Sequence, residues 1–248
     1  MTGSMPPLLE VSDVGKRFGG FVALDAITLD VRSGERLGLI GPNGSGKSTL
    51  VNCISGTLRH EQGRIRYAGQ DLARLSPHQR TRLGLARSFQ LPRPFASLSV
   101  ADNLRIPLEY AAPARGARTE PARSVLDQAH GLLSLVGLEA KAAQLPGELT
   151  QIEMRKLELA RAMAAEPRLL IADEPMAGLS HGEVDEILAL LLRLTEQGMT
   201  VILIEHIMRA VMQFSERLVV LVAGKKIADG VPAEVVRNPE VERAYLGE

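Results

Sequence analysis

The first third of the chain alternates between apolar and polar residues, as strands with one buried face do. Residues 9–14 and 27–31 show this alternation, and residues 64–67 repeat it before a turn at Gly69. Residues 36–40 form an apolar run that leads directly into a glycine-rich loop. We therefore predict strands joined by turns, the last of which delivers the chain into that loop.

The pattern changes to helical spacing between about residues 91 and 147. Residues 125–136 carry apolar side chains three and four positions apart and end at Gly137, which is a typical helix stop signal. Residues 100–110 also have helical potential, which Pro107 is expected to interrupt. This region is predicted to be a helical lobe inserted into an α/β core.

After residue 150, short apolar runs alternate with helical segments. The runs at 169–172, 200–204 and 218–222 have the length of buried parallel strands. The intervening segments predict helices over about 150–165, 182–197 and from about 208. Strands that alternate with helices predict parallel β-α-β units.

Composition narrows the class of protein and its partners. A chain of 248 residues is long enough for one large domain or for a core with an inserted lobe. Its formal net charge of zero gives no global attraction to nucleic acid or acidic lipid, so any membrane partner must be a protein surface. No run approaches the roughly 18 apolar residues of a membrane span, and the start of the chain lacks a signal-peptide pattern. The only cysteine, Cys53, is expected to be a small buried residue in a reducing compartment.

The glycine-rich loop matches the phosphate-binding pattern G-x-x-x-x-G-K-[ST] in full. It is followed by an apolar-patterned helix, as the pattern requires, so a chance glycine-rich turn is the weaker interpretation. Lys47 is expected to hold the β- and γ-phosphates, and the Ser48 hydroxyl is expected to bind Mg²⁺. The predicted nucleotide-binding residues of this loop are Gly41, Pro42, Asn43, Gly44, Ser45, Gly46, Lys47, Ser48 and Thr49.

Two later strands end in residues that suit phosphate hydrolysis. The apolar run 169–172 delivers Asp173 and Glu174, and the run 200–204 is followed by His206. An Asp-Glu pair alone usually consists of solvated charges in a loop. A lone histidine after a strand is usually a polar group with a structural role. Next to a phosphate-binding loop, however, Asp173 is expected to hold Mg²⁺, and Glu174 to orient or deprotonate the attacking water. Because parallel strands end at one sheet edge, His206 is expected to reach the γ-phosphate there.

The order of these motifs resembles the ATP-binding cassette (ABC) superfamily over essentially the whole chain. Gln90 follows the segment 86–89, and residues 157–161 precede the acidic pair at the family's spacing. Residues 91–95, 176–179 and 244–247 look more narrowly like the ATPases of branched-chain amino acid importers, although importers of urea and other amides share these features.

The resemblance implies a fold and site roles beyond the motifs themselves. The expected fold is a P-loop α/β core with a mostly parallel sheet, a small N-terminal antiparallel sheet and an inserted α-helical subdomain. Residues 8–248 would form one ABC ATPase domain, with a core at 8–90 and 165–248, an insert at 91–164 and a flexible tail at 1–7. Phe18 would stack on adenine, unless it is only a core aromatic near a turn. Gln90 would reach Mg²⁺ and sense a permease, whose cytoplasmic loops the helical lobe would grip.

One segment departs from the family pattern. The family's signature, Leu-Ser-Gly-Gly-Gln, caps the ATP bound to the partner subunit, and by gapless spacing it falls here at Leu149, Thr150, Gln151, Ile152 and Glu153. Both glycines are missing, and a Glu153 carboxylate about 6 Å from the γ-phosphate would cost on the order of 3 kcal/mol at an effective dielectric near 20. The alternative is that the signature merely varies here and still works.

These observations predict an ATP-hydrolysing subunit that uses MgATP to energise an importer of branched-chain amino acids or related small solutes. The chain would lie at the cytoplasmic face of the membrane, attached through permease subunits. Its other partners would be a second ABC ATPase subunit, in a heterodimer rather than a homodimer, and, indirectly, a periplasmic or extracellular binding protein. No nucleic acid is expected. One alternative is a soluble ABC ATPase, which usually has two cassettes or a long coiled coil, and this chain has neither. Another is an ATP-binding switch with weak turnover, which the altered signature favours and Glu174 and His206 oppose.

Overall fold

The computed structural model describes residues 6–111 and 124–246, with side chains as far as residue 244. Most of the tail predicted at residues 1–7 therefore lies outside the described residues. The strands are β1 (Leu9–Phe18), β2 (Phe21–Val31), β3 (Arg36–Ile40), β4 (Gln62–Tyr67), β5 (Gln70–Asp71), β6 (Leu85–Ser88), β7 (Leu169–Asp173), β8 (Thr200–Ile204), β9 (Arg217–Val222) and β10 (Lys225–Gly230). The helices are α1 (Lys47–Ser55), α2 (Pro77–Leu83), α3 (Val100–Tyr110), α4 (Val125–Val136), α5 (Gln151–Met163), α6 (His181–Glu196), α7 (Met208–Phe214), α8 (Pro232–Val235) and α9 (Pro239–Leu246).

The N-terminal strands form an antiparallel sheet in the order β2-β1-β4-β5. Leu9 and Val11 of β1 are buried on the same face as Ile65 of β4. This face shares one apolar cluster with Leu50 and Ile54 of α1, the helix that follows the glycine-rich loop. The small sheet therefore packs against α1. This contact places the predicted nucleotide site between the two sheets.

The second sheet has the order β10-β9-β3-β8-β7-β6 and is parallel except for β10. Strands β7 and β8 are buried along their whole length, as their continuous apolar runs predict. Leu39 of β3 and Asp173 of β7 both pair in register with Ile204 of β8. The carboxyl ends of these three strands thus meet at one edge of the sheet, and the α/β fold predicted from the sequence is confirmed.

Helices α3, α4 and α5 form the predicted helical region, but their apolar faces do not form a separate core. Leu104 of α3 and Leu133 of α4 belong to the same buried cluster as Leu170 of β7 and Leu203 of β8. The helices therefore pack onto the parallel sheet through a continuous apolar interior. The proposed division into a core at 8–90 and 165–248 and an insert at 91–164 stays a prediction.

Three elements illustrate where the structure differs from the sequence-based expectations. Helix α3 continues through Pro107, because Leu104 and Leu108 on either side are buried in the core and hold the turn despite its missing N–H donor. Strand β10 was not predicted, because it is mostly exposed and pairs antiparallel at the sheet edge. Strand β6, at the other edge, has four residues and no periodicity to read.

Candidate nucleotide site

The phosphate-binding loop connects β3 to α1, and its shape depends on glycine. Gly41 has φ of 153°, and a Cβ there would lie 2.1 Å from the Leu221 carbonyl oxygen. Gly46 has φ of 104°, and a Cβ there would lie 2.6 Å from the Ala23 carbonyl oxygen. Both contacts are shorter than any side chain tolerates, so the loop closes tightly only with glycine at these positions.

The amino end of α1 is arranged to bind an anion. Its N-cap is Gly46, no side chain accepts from its first N–H groups, and its first turn carries no acidic residue. Those N–H groups and the helix dipole are therefore available to a phosphate. The Lys47 ammonium lies at the same loop, where it donates to the carbonyl oxygens of Gly41 (2.6 Å) and Pro42 (3.0 Å). Burial lowers the pKa of Lys47, and the carboxylates of Glu174 and Asp173 oppose this shift.

The residues predicted from the later strands meet at the same sheet edge. Glu174 Oε1 lies 2.6 Å from His206 Nε2, and Glu174 Oε2 accepts a hydrogen bond of 2.5 Å from Gln90 Nε2. Gln90 is 84 residues away from Glu174 in the chain, and His206 is 32 residues away. A recess of about 200 Å³ is lined by Glu174 together with Lys47 and other residues of the loop. The structure therefore brings Glu174, His206 and Gln90 together beside the phosphate-binding loop.

The residues predicted to hold Mg²⁺ line one cleft. Ser48, Gln90 and Asp173 all face a cavity of about 730 Å³. A hydroxyl, an amide and one carboxylate are oxygen donors that suit Mg²⁺, which commonly takes one or two carboxylates and completes its shell with phosphate oxygens and water. The donor set therefore fits the metal, although Gln90 bonds to Glu174 here.

Arg87 is a site residue that the sequence did not reveal. From β6 it donates to Asp173 Oδ2 through Nη2 (2.6 Å) and Nε (3.2 Å), and its Nη1 donates to Asn52 Oδ1 of α1 (2.7 Å). The Arg87 and Asp173 side chains are 12% and 9% exposed, so this is a nearly buried ion pair. Arg87 ties the predicted metal ligand to the helix of the phosphate-binding loop. Arg87 and Asp173 lie together only because β6 pairs with β7, so no local sequence pattern could have indicated this ion pair.

An aromatic pair lies where the base of a nucleotide is expected. Phe18 and Phe21 are opposite each other across the hairpin of β1 and β2, and they are 50% and 62% exposed. The Lys16 ammonium lies 5.3 Å from the Phe18 ring centroid. Both rings line the recess that contains the phosphate-binding loop. Sequence reasoning selected Phe18 and missed Phe21, although two glycines between two phenylalanines are a typical hairpin signal.

Comparison with known proteins identifies the family. The ABC transporter family model matches residues 24–177. The chain belongs to the ABC transporter ATP-binding family. A second model, described as a branched-chain amino acid ATP-binding cassette transporter, matches residues 225–248 of this cassette. The predicted class, an ATP-binding and ATP-hydrolysing subunit, is confirmed.

Curated relatives match the cassette over almost its whole length. It is 38% identical over 254 residues to the high-affinity branched-chain amino acid transport ATP-binding protein BraF of Pseudomonas aeruginosa, with 98% of each chain covered. It is 37% identical over 251 residues to the corresponding protein LivG of Salmonella typhimurium, again with 98% of each chain covered. The ADP conformation of MJ1267, an ATP-binding cassette of an ABC transporter, superimposes with a TM-score of 0.86 at 29% identity, covering 98% of this chain and all of that one.

The altered signature segment lies at the amino end of α5. Thr150 is the N-cap, its hydroxyl accepts from Glu153 N (3.4 Å), and Glu153 Oε2 accepts from Thr150 N (2.8 Å). Lys141 Nζ lies 2.7 Å from Glu153 Oε1. The hydrogen bond from Lys141 and that from Thr150 lower the pKa of Glu153. The Lys141 ammonium offsets the negative charge of the carboxylate, so the electrostatic penalty should be smaller than the roughly 3 kcal/mol expected for a free Glu153.

The two positions where the family pattern has glycine carry side chains that contact other parts of this chain. Gln151 Nε2 lies 3.4 Å from the Ala177 carbonyl oxygen and would be 2.6 Å from a Cβ placed at Gly178. Ile152 is half-buried and packs against the core of the helical region. Leu149 packs against the same cluster. The segment thus carries side chains at both positions where the family pattern has glycine.

Proposed function

We propose that this cassette hydrolyses MgATP to drive import of a branched-chain amino acid or a similar small solute, at the cytoplasmic face of a membrane. The observation that carries the proposal is the match of residues 225–248 to the branched-chain amino acid cassette model. The names of BraF and LivG, which match over 98% of the chain, support the same solute class. None of the described helices is long and apolar enough to cross a membrane, and the proposed attachment is through permease subunits.

In the proposed reaction, Lys47 and the N–H groups of α1 hold the triphosphate, and Phe18, with Phe21 beside it, contacts the base. Ser48, Asp173 and Gln90 would hold Mg²⁺, which neutralises charge on the β- and γ-phosphates. Glu174 orients the attacking water and accepts its proton as the water oxygen bonds to the γ-phosphorus, while the bond to the β–γ bridging oxygen breaks and ADP leaves.

The contacts of Glu174 suit this role. His206 fixes one carboxylate oxygen and Gln90 fixes the other, so the carboxylate has a defined direction at the edge of the recess. Each carboxylate oxygen takes part in one of these bonds and keeps a further lone pair, which can accept the proton of the water. Gln90 belongs to the chain segment that leads into the helical region. Its hydrogen bond therefore links the orientation of the Glu174 carboxylate to the position of that region.

A groove between α3 and the core is the proposed permease contact. It has a volume of about 360 Å³ and is lined by Phe95, Tyr110, Glu158 and Arg161, among others. Phe95 and Tyr110 are 44% and 67% exposed, whereas the Glu158 side chain is 8% exposed and lies 2.9 Å from Arg161. Burial raises the pKa of Glu158, and Arg161 opposes this shift. Exposed aromatics around a buried ion pair suit an apolar protein segment with a polar end.

We infer that the partner ATPase is a different chain. Gln151 and Ile152 stand where a signature acts through glycine, so this segment would cap the partner's ATP poorly. The phosphate-binding loop, Glu174 and His206 of this chain are complete and would work against an intact signature of the partner. One competent and one weakened ATP site would result.

Purification from solubilised membranes tests the assembly. Affinity-tagged cassette is expected to retain two permease subunits and one different ATPase. Proteoliposomes of that complex, loaded with MgATP, are then expected to take up leucine, isoleucine or valine, whereas a matched complex with Glu174→Gln does not. Recovery of the cassette without any permease would contradict the transport function. Uptake of an amide such as urea, but of none of the three amino acids, would overturn the solute class alone.

A further inference from the structure

Glu205 is a buried carboxylate between the two loops that carry Glu174 and His206. It follows β8 directly and is 2% exposed. Its Oε1 accepts from Met176 N (2.8 Å), and its Oε2 accepts from His206 N (3.1 Å). The backbone N–H of Ile207 also donates to it. One side chain thus binds the backbone of both loops.

The loop after β7 holds Glu174 in a backbone conformation that residues other than glycine rarely adopt. Glu174 has φ of 48°, in the left-handed region that non-glycine residues disfavour. Its N–H donates to the Ile204 carbonyl oxygen (2.9 Å), which anchors the start of the loop to β8. Met176, two residues later, is anchored by Glu205. The segment that contains Glu174 is therefore fixed on both sides to the strand that leads to His206.

Stability alone gives a poor reason for a carboxylate at this position. Burial raises the pKa of Glu205, and the N–H groups of Met176, His206 and Ile207 oppose this shift. A buried carboxylate costs free energy that an apolar side chain of similar size would not. The guanidinium of Arg155 is the nearby compensating charge. The Arg155 guanidinium donates to the carbonyl oxygens of Gln90 and Ala177. Burial lowers the pKa of Arg155, and the negative charge of Glu205 opposes this shift.

We propose that Glu205 is a positioning residue for ATP hydrolysis, which sets the distance between Glu174 and His206 by holding the backbone N–H groups of Met176 and His206. It contacts neither the phosphate-binding loop nor the aromatic pair, so it acts on the hydrolytic step and leaves nucleotide binding unchanged. This role rests on the proposed function of Glu174.

Substitution of Glu205 in the assembled transporter tests the proposal. Displacement of a reacting group by about 1 Å costs on the order of a hundredfold in rate, so Glu205→Ala is expected to lower kcat by about that factor. The affinity for a fluorescent ATP analogue is expected to equal that of the wild type. Glu205→Gln keeps the shape and one acceptor oxygen, and is expected to retain an intermediate kcat.

A double substitution separates positioning from general destabilisation. If Glu205 acts through the Glu174–His206 pair, Glu205→Ala adds little to the loss of kcat already caused by His206→Ala. Multiplicative losses would overturn the proposal. Wild-type kcat in a folded Glu205→Gln or Glu205→Ala protein would overturn it as well.

Thr200→Val is the matched control. Thr200 is also fully buried and also holds a backbone group, because its hydroxyl accepts from Gly34 N (2.9 Å), but it lies at the opposite end of β8 from Glu205. It is expected to lower the melting temperature without a change in kcat. An equal loss of kcat in Thr200→Val would refute a specific role for Glu205. Turnover in Glu174→Gln would contradict the proposed function itself, whereas an inactive Glu174→Gln beside an active Glu205→Ala contradicts only the positioning role.

Discussion

Replacement of Arg87 by methionine should destabilise the nucleotide-free protein strongly and the MgATP-bound protein much less. In the structure Arg87 directs two N–H groups at one oxygen of Asp173 and a third at Asn52. Methionine has similar length and no charge, so the substitution leaves Asp173 nearly buried without its counter-charge.

The magnitude follows from the burial of the pair. Removal of one partner of a buried ion pair typically costs about 3–5 kcal/mol, and the lower end applies here because the pair borders a solvent-filled cleft. For a chain of this size, about 3 kcal/mol corresponds to a fall in melting temperature of roughly 6–12 °C. With MgATP bound, the proposed metal restores a positive charge beside Asp173, so the difference between variant and wild type should narrow.

Differential scanning fluorimetry with and without MgATP measures both effects. The Glu174→Gln background prevents hydrolysis during the scan. The matched control is Arg209→Met, which breaks the Arg209–Asp185 pair whose side chains are 43% and 56% exposed. An exposed pair contributes about 0–1 kcal/mol, so the control should change the melting temperature little. Equal shifts for Arg87→Met and Arg209→Met would refute the reasoning, and a gap that MgATP leaves unchanged would refute the link to the metal.

Three further substitutions test the proposed site. Lys47→Ala should weaken binding of a fluorescent ATP analogue by roughly 1.5–3 kcal/mol through loss of a charge-assisted contact, and unchanged affinity would contradict the site. Glu174→Gln should bind MgATP normally, lose turnover and, together with the partner ATPase, accumulate an ATP-bound dimer in size-exclusion chromatography, and near-wild-type hydrolysis would remove Glu174 from the mechanism. The isolated cassette should hydrolyse ATP slowly, and glycine at Gln151 and Ile152 with glutamine at Glu153 should accelerate it. Brisk hydrolysis by the unmodified protein alone, unaffected by this repair, would argue against the asymmetric dimer.

The sequence determined those parts of the site whose geometry is local. Residues 41–49 form a strand-to-helix turn in which the glycines, the lysine and the serine are contiguous, so their spacing alone specifies a phosphate-binding loop. Asp173 and His206 could be placed at one edge because each ends a run of apolar residues with the length of a buried parallel strand. In both cases a short pattern is enough, because the backbone conformation of a few adjacent residues fixes where the side chains lie.

The tertiary structure decided the contacts between these parts. Arg87 and Asp173 are 86 residues apart, and Lys141 lies between α4 and α5 whereas Glu153 lies in α5, so only packing shows that each pair neutralises a charge. Glu205 was visible in the sequence merely as the residue before His206, and its bond to Met176 exists only because β7 and β8 are adjacent. The physical reason is that charge neutralisation and backbone anchoring depend on distances across the sheet. Strand order sets those distances, and residue spacing along the chain does not.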